Sequence, residues 1–357
     1  MKVLIATGLY PPEIGGPATY TALLERELPQ RRHQVVVVPF RLSRRLPKGI
    51  RHFHYCYMLL KHSKGVGVIF AQDVVSVGLP ALVMARLLGK KFFVRVPGDY
   101  AWEQSVQRFG VIDTIDEFQT KSYGKKVQLL RKVQTIVTKY ADQVITPSEY
   151  FRTLIIGWGV DAKKVTTIYN GVDLNIKVAP GLVKPASLVL LSAGRLVPWK
   201  GFECLIEAMQ ALPNWQLVIL GEGPEREKLQ GQIEKLGLQN QIELKGNVSR
   251  EEVFAWCTIS DAFVLNTHFE SFSFQIVEAM AAGIPIITTT VGSLPELITH
   301  EKEGILVTPN DSEAFLAAIK TVVTDKASWQ RRVNAAHEKA EMFSIQRTVD
   351  KLCLLLE

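Results

Sequence analysis

Two glutamates, Glu270 and Glu278, stand eight positions apart in HFESFSFQIVEAMAAG, residues 268–283. Glu278 sits among Ile276, Val277, Ala279, Met280 and Ala281. A helix that is apolar nearly all round is buried, and a carboxylate on it needs partners. Sugar hydroxyls are suitable partners, because a carboxylate can accept two O–H bonds at once. Arg195 and Lys200 are five positions apart in GRLVPWKGFECLIEAM, residues 194–209, and flank a helix start. A guanidinium grips phosphate oxygens bidentately, an ammonium acts as a point charge, and a helix N-terminus adds positive potential. The pair reads as a diphosphate clamp. Gly15 and Gly16, in TGLYPPEIGGPATY, precede a helix expected from Pro17. Paired glycines let backbone approach a ligand, and free helix N–H groups attract phosphate. This loop is neither a Walker loop nor a G-x-G-x-x-G fingerprint. GWGVDA, residues 157–162, resembles such a fingerprint but follows no strand.

These residues need elements to hold them. Val- and Ile-rich runs alternate with helix-length segments along the chain. Strands are predicted at residues 2–7, 34–39, 66–71, 91–96 and 142–147, then at 187–194, 215–220, 241–246, 261–267, 284–290 and 304–309. Near-continuous apolar strands with helices between them predict parallel sheets covered on both faces. Two such series predict two doubly wound α/β domains. Ligands bind outside the carboxyl ends of such strands. Arg195, Lys200 and Glu270 all fall there. So does the turn GEGP, with Gly221 and Gly223 ahead of Pro224 at the first position of a helix. A helix is predicted from about residue 274 to 282, with Glu270 in the loop before it. Gly- and Pro-containing sequence places a linker near 174–186, and Phe343, Ile345, Val349, Leu352 and Leu355 predict a closing amphipathic helix with Ser344 as its N-cap.

At 357 residues the chain suggests two cores rather than one. No apolar run reaches membrane-spanning length, and the N-terminus lacks signal-peptide character. Cys56, Cys204, Cys257 and Cys353 are scattered, which fits a reducing cytoplasm better than a disulfide or zinc framework. A cytoplasmic protein would leave the sequon Asn247-Val248-Ser249 unused. Net charge is +7, but residues 1–177 hold 26 Lys and Arg against 13 Asp and Glu, while residues 178–357 hold 16 against 22. The basic half points to an anionic partner. Residues 41–64 concentrate it: Arg41, Arg44, Arg45, Lys48, Arg51, Lys61 and Lys64 surround Phe53, Tyr55, Tyr57, Met58, Leu59 and Leu60. Cations beside apolar groups suit a membrane surface or a lipid-phosphate acceptor. No nucleic-acid motif accompanies the charge.

In this order, the motifs resemble glycosyltransferase family 4, the retaining GT-B enzymes. They are the Gly15-Gly16 loop, IYNGVD (168–173), GRLVPWKG (194–201), GEGP (221–224), the two glutamates with AMAAGIPII (279–287), and VGSLPELI (291–298). The resemblance covers nearly the whole chain. It implies a GT-B fold: an N-terminal acceptor domain (1–176), a C-terminal donor domain (177–340), a cleft between them, and a last helix (about 341–357) crossing back to the first domain. The implied activity is transfer of a sugar from a nucleoside-diphosphate sugar to a glycan, lipid-linked or polysaccharide acceptor. Arg195 and Lys200 would hold the donor diphosphate, Glu278 the ribose hydroxyls and Glu270 the transferred sugar. Gly15 and Gly16 would approach the diphosphate, Asn247 and Val248 the base, and Gly221 and Ser271 to Phe274 complete the donor site. No cofactor and no metal are expected, the nucleotide sugar being a co-substrate. The chain departs from the family in two places. Ser271-Phe272-Ser273 replaces a frequent Gly-Phe-Gly, adding two hydroxyls to the sugar pocket. Pro97 stands where many members have a histidine, leaving Asp99 or Glu103 as a sugar contact or base, or Asp99 as a structural turn acid. A sugar-nucleotide epimerase and an inactive nucleotide-sugar-binding protein are the alternative readings of the same fold.

Overall fold

The structure is a computed structural model that describes every residue except Ile14, Lys48 and residues 176–180. Lys48 of the basic segment therefore lies outside the described residues, as do residues on both sides of the 176/177 boundary and part of the expected linker. The chain forms two compact units, Met1–Gly171 with Ile345–Glu357, and Val172–Ser344.

The first unit holds β1 (Lys2–Thr7), β2 (Gln34–Pro39), β3 (Val68–Ala71), β4 (Lys91–Arg95), β5 (Gln143–Thr146) and β6 (Val165–Thr167), in the order β2-β1-β3-β4-β5-β6. Every pairing is parallel. β6 is one strand more than the sequence pattern predicts. It is a three-residue Val-Thr-Thr edge, too short to show a period. The second unit holds β7 (Leu188–Ala193), β8 (Trp215–Leu220), β9 (Ile242–Gly246), β10 (Ala262–Leu265), β11 (Ile286–Thr289) and β12 (Ile305–Val307), also all parallel, in the order β12-β11-β10-β7-β8-β9. β3 and β10 are buried throughout, as strands covered on both faces must be.

The closing helix, Ile345–Leu356, belongs to the first unit. Ile345, Val349, Leu352 and Leu356 join Val3, Ile5, Tyr20 and Leu24 in one core, while Leu355 is only partly buried. Residues Glu341–Phe343 form a 3-10 turn ahead of the helix. Ser344 follows in extended backbone (φ −68°, ψ 153°).

Each sheet reverses its strand order once, beside β1 in the first and beside β7 in the second. There the loops leaving neighbouring strands diverge to opposite faces and open a crevice at their carboxyl ends. In the second unit the diverging loops follow β7 and β10. In the first they follow β1 and β3.

Candidate functional site

The loops after β7 and β10 carry Arg195 and Lys200 on one side and Glu270 on the other. Close backbone approach holds them. Gly201 has φ 65°, and a Cβ there would stand 1.8 Å from the Asn266 carbonyl oxygen. The Trp199 carbonyl accepts from the His268 N–H at 2.7 Å and from Thr267 Oγ1 at 2.9 Å. Gly292 (φ 56°) lets the following turn close over Glu270, whose carbonyl accepts from the Ser293 N–H at 2.9 Å. On this frame Lys200 Nζ meets Glu270 Oε2 at 2.5 Å, with both side chains buried. Burial pushes the Glu270 carboxyl up, and the Lys200 charge pulls it back. Two buried polar atoms nearby, Asn266 Oδ1 on the loop after β10 and Ser293 Oγ on the turn after β11 that closes over Glu270, have no partner among the described residues. Such atoms are rare in folded proteins and mark sites that complete their hydrogen bonding with a ligand or solvent. Arg195 is exposed and, among the described residues, has no ion-pair partner. Among the described residues the two cations therefore differ: Lys200 is bound to Glu270, and Arg195 has no ion pair.

Glu278 lies on the helix Phe274–Ala282 and is 5% exposed. Its Oε1 accepts from Arg250 Nε at 2.9 Å. Burial raises its pKa and the Arg250 charge lowers it. Cys257, about two turns along the same helix from Arg250, has its thiol pushed up by burial first and by the Glu278 charge second. Arg250 Nη2 is buried without a partner among the described residues. Sequence reasoning missed Arg250. Its signal was local: Ser249 and Glu252 form a capping box that fixes the start of the helix Arg250–Ile259, so Arg250 occupies its first position at the carboxyl end of β9.

Two residues between the glutamates have structural roles. Ser273 is fully buried, and its Oγ accepts from the Ile276 N–H at 3.3 Å. It is the N-cap of the Glu278 helix, so its oxygen serves the helix backbone. The Phe272 ring is buried edge-on against Phe274 and Phe343, 5.6 and 5.8 Å between centroids, and is a packing residue. Ser271 and Phe274 are half-buried. Gly221 (φ 132°) joins the ends of three strands: its N–H donates to the Gly246 carbonyl at 2.8 Å, and a Cβ would stand 2.0 Å from the Gly194 carbonyl oxygen. Asn247 is exposed and Val248 half-buried just beyond.

In the first unit Gly15 has φ 151° and ψ 159°, a conformation only glycine adopts readily, and starts the helix Gly16–Gln30. Its carbonyl accepts from the Ala18 and Thr19 N–H groups at 3.0 and 3.1 Å. Asp99 is corrected. It is fully buried and caps the helix Tyr100–Phe109, with Oδ1 accepting from the Trp102 N–H and from Gln134 Nε2, and Oδ2 from Gln119 Nε2, each at 3.0 Å. Both oxygens are satisfied by protein, which makes Asp99 a structural acid. Burial, its largest influence, raises its pKa against those hydrogen bonds. Glu103 is half-buried with Oε1 directed at Gly98, where a Cβ would stand 2.4 Å away.

The profile of Glycosyltransferase Family 4 matches residues 14–176, and that of Glycosyl transferases group 1 matches residues 177–340. The chain is 30% identical over 222 residues to a glycogen synthase of Mycobacterium tuberculosis (strain CDC 1551 / Oshkosh), an alignment covering 60% of this chain and 54% of the relative. It is 28% identical over 210 residues to the lipopolysaccharide core biosynthesis glycosyltransferase LpsD of Rhizobium meliloti (strain 1021), covering 58% and 59%. These alignments span little more than half the length of the relatives. The fold is similar along its whole length to HepE of Anabaena (TM-score 0.79, 21% identity, 100% and 99% covered). It is equally similar to the sucrose-phosphate synthase of Thermosynechococcus elongatus (TM-score 0.79, 18% identity, 100% and 98% covered). The two sheets are thus those of a GT-B fold. With the two profiles together spanning residues 14–340, the chain belongs to the family 4, group 1 glycosyltransferases.

Proposed function

We propose that this protein is a retaining glycosyltransferase that moves a sugar from a nucleoside-diphosphate sugar to a glycan or lipid-linked acceptor. One observation carries the reading. The switch point of the second sheet joins a buried Lys200–Glu270 pair, an unpaired Arg195 and the unspent hydrogen-bonding atoms Asn266 Oδ1 and Ser293 Oγ. Departure of a nucleoside diphosphate needs positive charge at the leaving oxygen, and preorganised donors of this kind typically supply roughly 3–4 kcal/mol each. An ammonium has three donors, so Lys200 can keep Glu270 and still reach a phosphate oxygen. Glu270 then faces the sugar, and Glu278, held by Arg250, accepts from the ribose hydroxyls. The mechanism is proposed to need no metal. HepE has been solved with UDP, with UDP-glucose, and with UDP and glucose, so uridine nucleotides are the first donors to test. A donor panel screened by thermal shift, then assayed for released nucleoside diphosphate with and without acceptor, tests the activity. Release that depends on acceptor supports transfer. A changed nucleotide sugar without acceptor would make the protein an epimerase, and binding without turnover an inactive binder.

The basic first unit is proposed to meet an anionic membrane surface from the cytoplasmic side. Among the described residues no helix is long and apolar enough to cross a membrane. The helix Ile50–His62 instead turns apolar groups outward: Ile50, Phe53, Tyr57 and Leu60 are 57, 79, 59 and 48% exposed at helical spacing. Arg41, Arg45, Lys61 and Lys64 are exposed nearby in sequence. An apolar stripe bordered by cations fits the interface of an anionic bilayer. Co-sedimentation with phosphatidylglycerol vesicles, weakening with salt and lost in Phe53→Glu, is the expected result. Equal binding to neutral vesicles would contradict it.

A further inference from the structure

Among the described residues ten buried side-chain polar atoms are without a partner, and four of them belong to three residues of the first unit: Tyr20 Oη, Gln72 Nε2, Gln72 Oε1 and Arg95 Nη1. These three residues are neighbours. Ala6, Ala71 and Val94 are register partners on β1, β3 and β4. The next residues, Thr7, Gln72 and Arg95, therefore stand side by side at the carboxyl ends and point to one face of the sheet. The helix Gly16–Gln30 covers that face. Thr21 Oγ1 donates to Thr7 Oγ1 at 3.3 Å, and the Arg95 guanidinium lies 3.9 Å from the Tyr20 ring centroid. Arg95 Nη2 donates to Asn170 Oδ1 at 2.6 Å.

The cluster is out of balance. Arg95 is 2% exposed and Gln72 fully buried, yet among the described residues no carboxylate pairs with Arg95. Burial pulls its pKa down only to about 10, so it stays charged at neutral pH. A buried, unpaired cation is costly, and each orphaned atom adds to the cost. Three donors without partners among the described residues, Arg95 Nη1, Gln72 Nε2 and Tyr20 Oη, are carried by neighbouring residues that hold one positive charge, beside the start of a long helix and at the switch point of the sheet. The loops of the second unit that hold Glu270 and Arg250 carry the same signature of orphaned atoms.

We propose that Arg95, Gln72 and Tyr20 form an anion subsite that receives a carboxylate or phosphate carried by the acceptor. The assignment to the acceptor rests on the transferase reading, with the first unit as the acceptor-binding half; the anion site itself does not. The subsite makes an anionic acceptor, such as a uronic acid or a sugar phosphate, the preferred class.

The test uses the full chain without donor, so it does not depend on transfer. Arg195→Ala serves as background, removing the unpaired cation of the proposed donor loops. Glucuronate, inorganic phosphate and neutral glucose are titrated by calorimetry and thermal shift. Glucuronate or phosphate is expected to bind and stabilise the protein, glucose is not, and the two anions distinguish a carboxylate from a phosphate preference. Arg95→Met should weaken anion binding at least tenfold. Gln72→Leu keeps the volume and removes two orphaned atoms, so the anion-free protein should be as stable as its parent or more so, while its anion response falls at least tenfold. Unchanged anion affinity in folded Gln72→Leu, or glucose binding as well as glucuronate does, would overturn the proposal. Anion binding that depends on Arg95, combined with transfer only to neutral acceptors, would refute the acceptor assignment alone.

Discussion

Arg250 Nε donates to Glu278 Oε1 at 2.9 Å, and this contact ties the first turn of one helix to a buried carboxylate on another. Burial raises the Glu278 pKa, and the Arg250 charge and hydrogen bond beside it oppose that rise. We expect Arg250→Ala to raise the Glu278 pKa further. With Glu278 as the proposed acceptor of the ribose hydroxyls, the carboxylate binds better than the neutral acid, so nucleotide affinity should fall as pH drops through that pKa, and the fall should begin at higher pH in the variant. Arg250→Lys should restore much of the profile. Calorimetry with UDP from pH 5 to pH 8 checks this, and identical profiles for the variant and the parent would remove Arg250 from the site. With 2′-deoxy-UDP the difference between parent and variant should shrink.

Lys200 and Glu270 are coupled in the same sense. Truncating one partner of a buried pair leaves the other charge unpaired, at about 3–5 kcal/mol. Lys200→Met and Glu270→Leu should each destabilise strongly, and the double variant should recover most of the loss. Urea denaturation measures it. Additive losses would show that the pair does not interact.

Asp99 is predicted to matter for stability and not for chemistry. Asp99→Ala removes a helix cap and strands Gln119 and Gln134, which should cost about 2 kcal/mol. Because burial raises the native pKa of Asp99, the native state binds its proton more tightly than the unfolded state. Stability therefore falls with rising pH between the unfolded and native pKa values. Asp99→Asn should flatten that slope while keeping turnover within a few-fold. Loss of turnover in a folded Asp99→Asn protein would restore the acid to the active site.

Much of this was legible in the sequence. The helix Phe274–Ala282 has the bounds its apolar pattern predicts, because an all-round apolar run ending at Gly283 leaves little choice. The loops bearing Arg195, Lys200 and Glu270 were legible because ligand loops follow parallel strands. Side-chain pairing was not. Arg250 and Glu278 are 28 positions apart, and only strand order brings them together. Ser273 read as a pocket hydroxyl because a cap and a ligand contact use the same atom. Its helix position shows the cap. Arg95 was unread for a similar reason: its isolation as a buried charge depends on which strands flank β4.

The central claim is that the loops after β7 and β10 hold a nucleoside diphosphate. Arg195 tests it most cleanly, since it is exposed and, among the described residues, has no ion pair whose loss would unfold the protein. Calorimetric titration with UDP should show Arg195→Ala binding roughly 10–100-fold more weakly, the loss expected for a charge-assisted hydrogen bond of about 1.5–3 kcal/mol, with thermal stability unchanged. Equal UDP affinity in Arg195→Ala and the parent protein would contradict it.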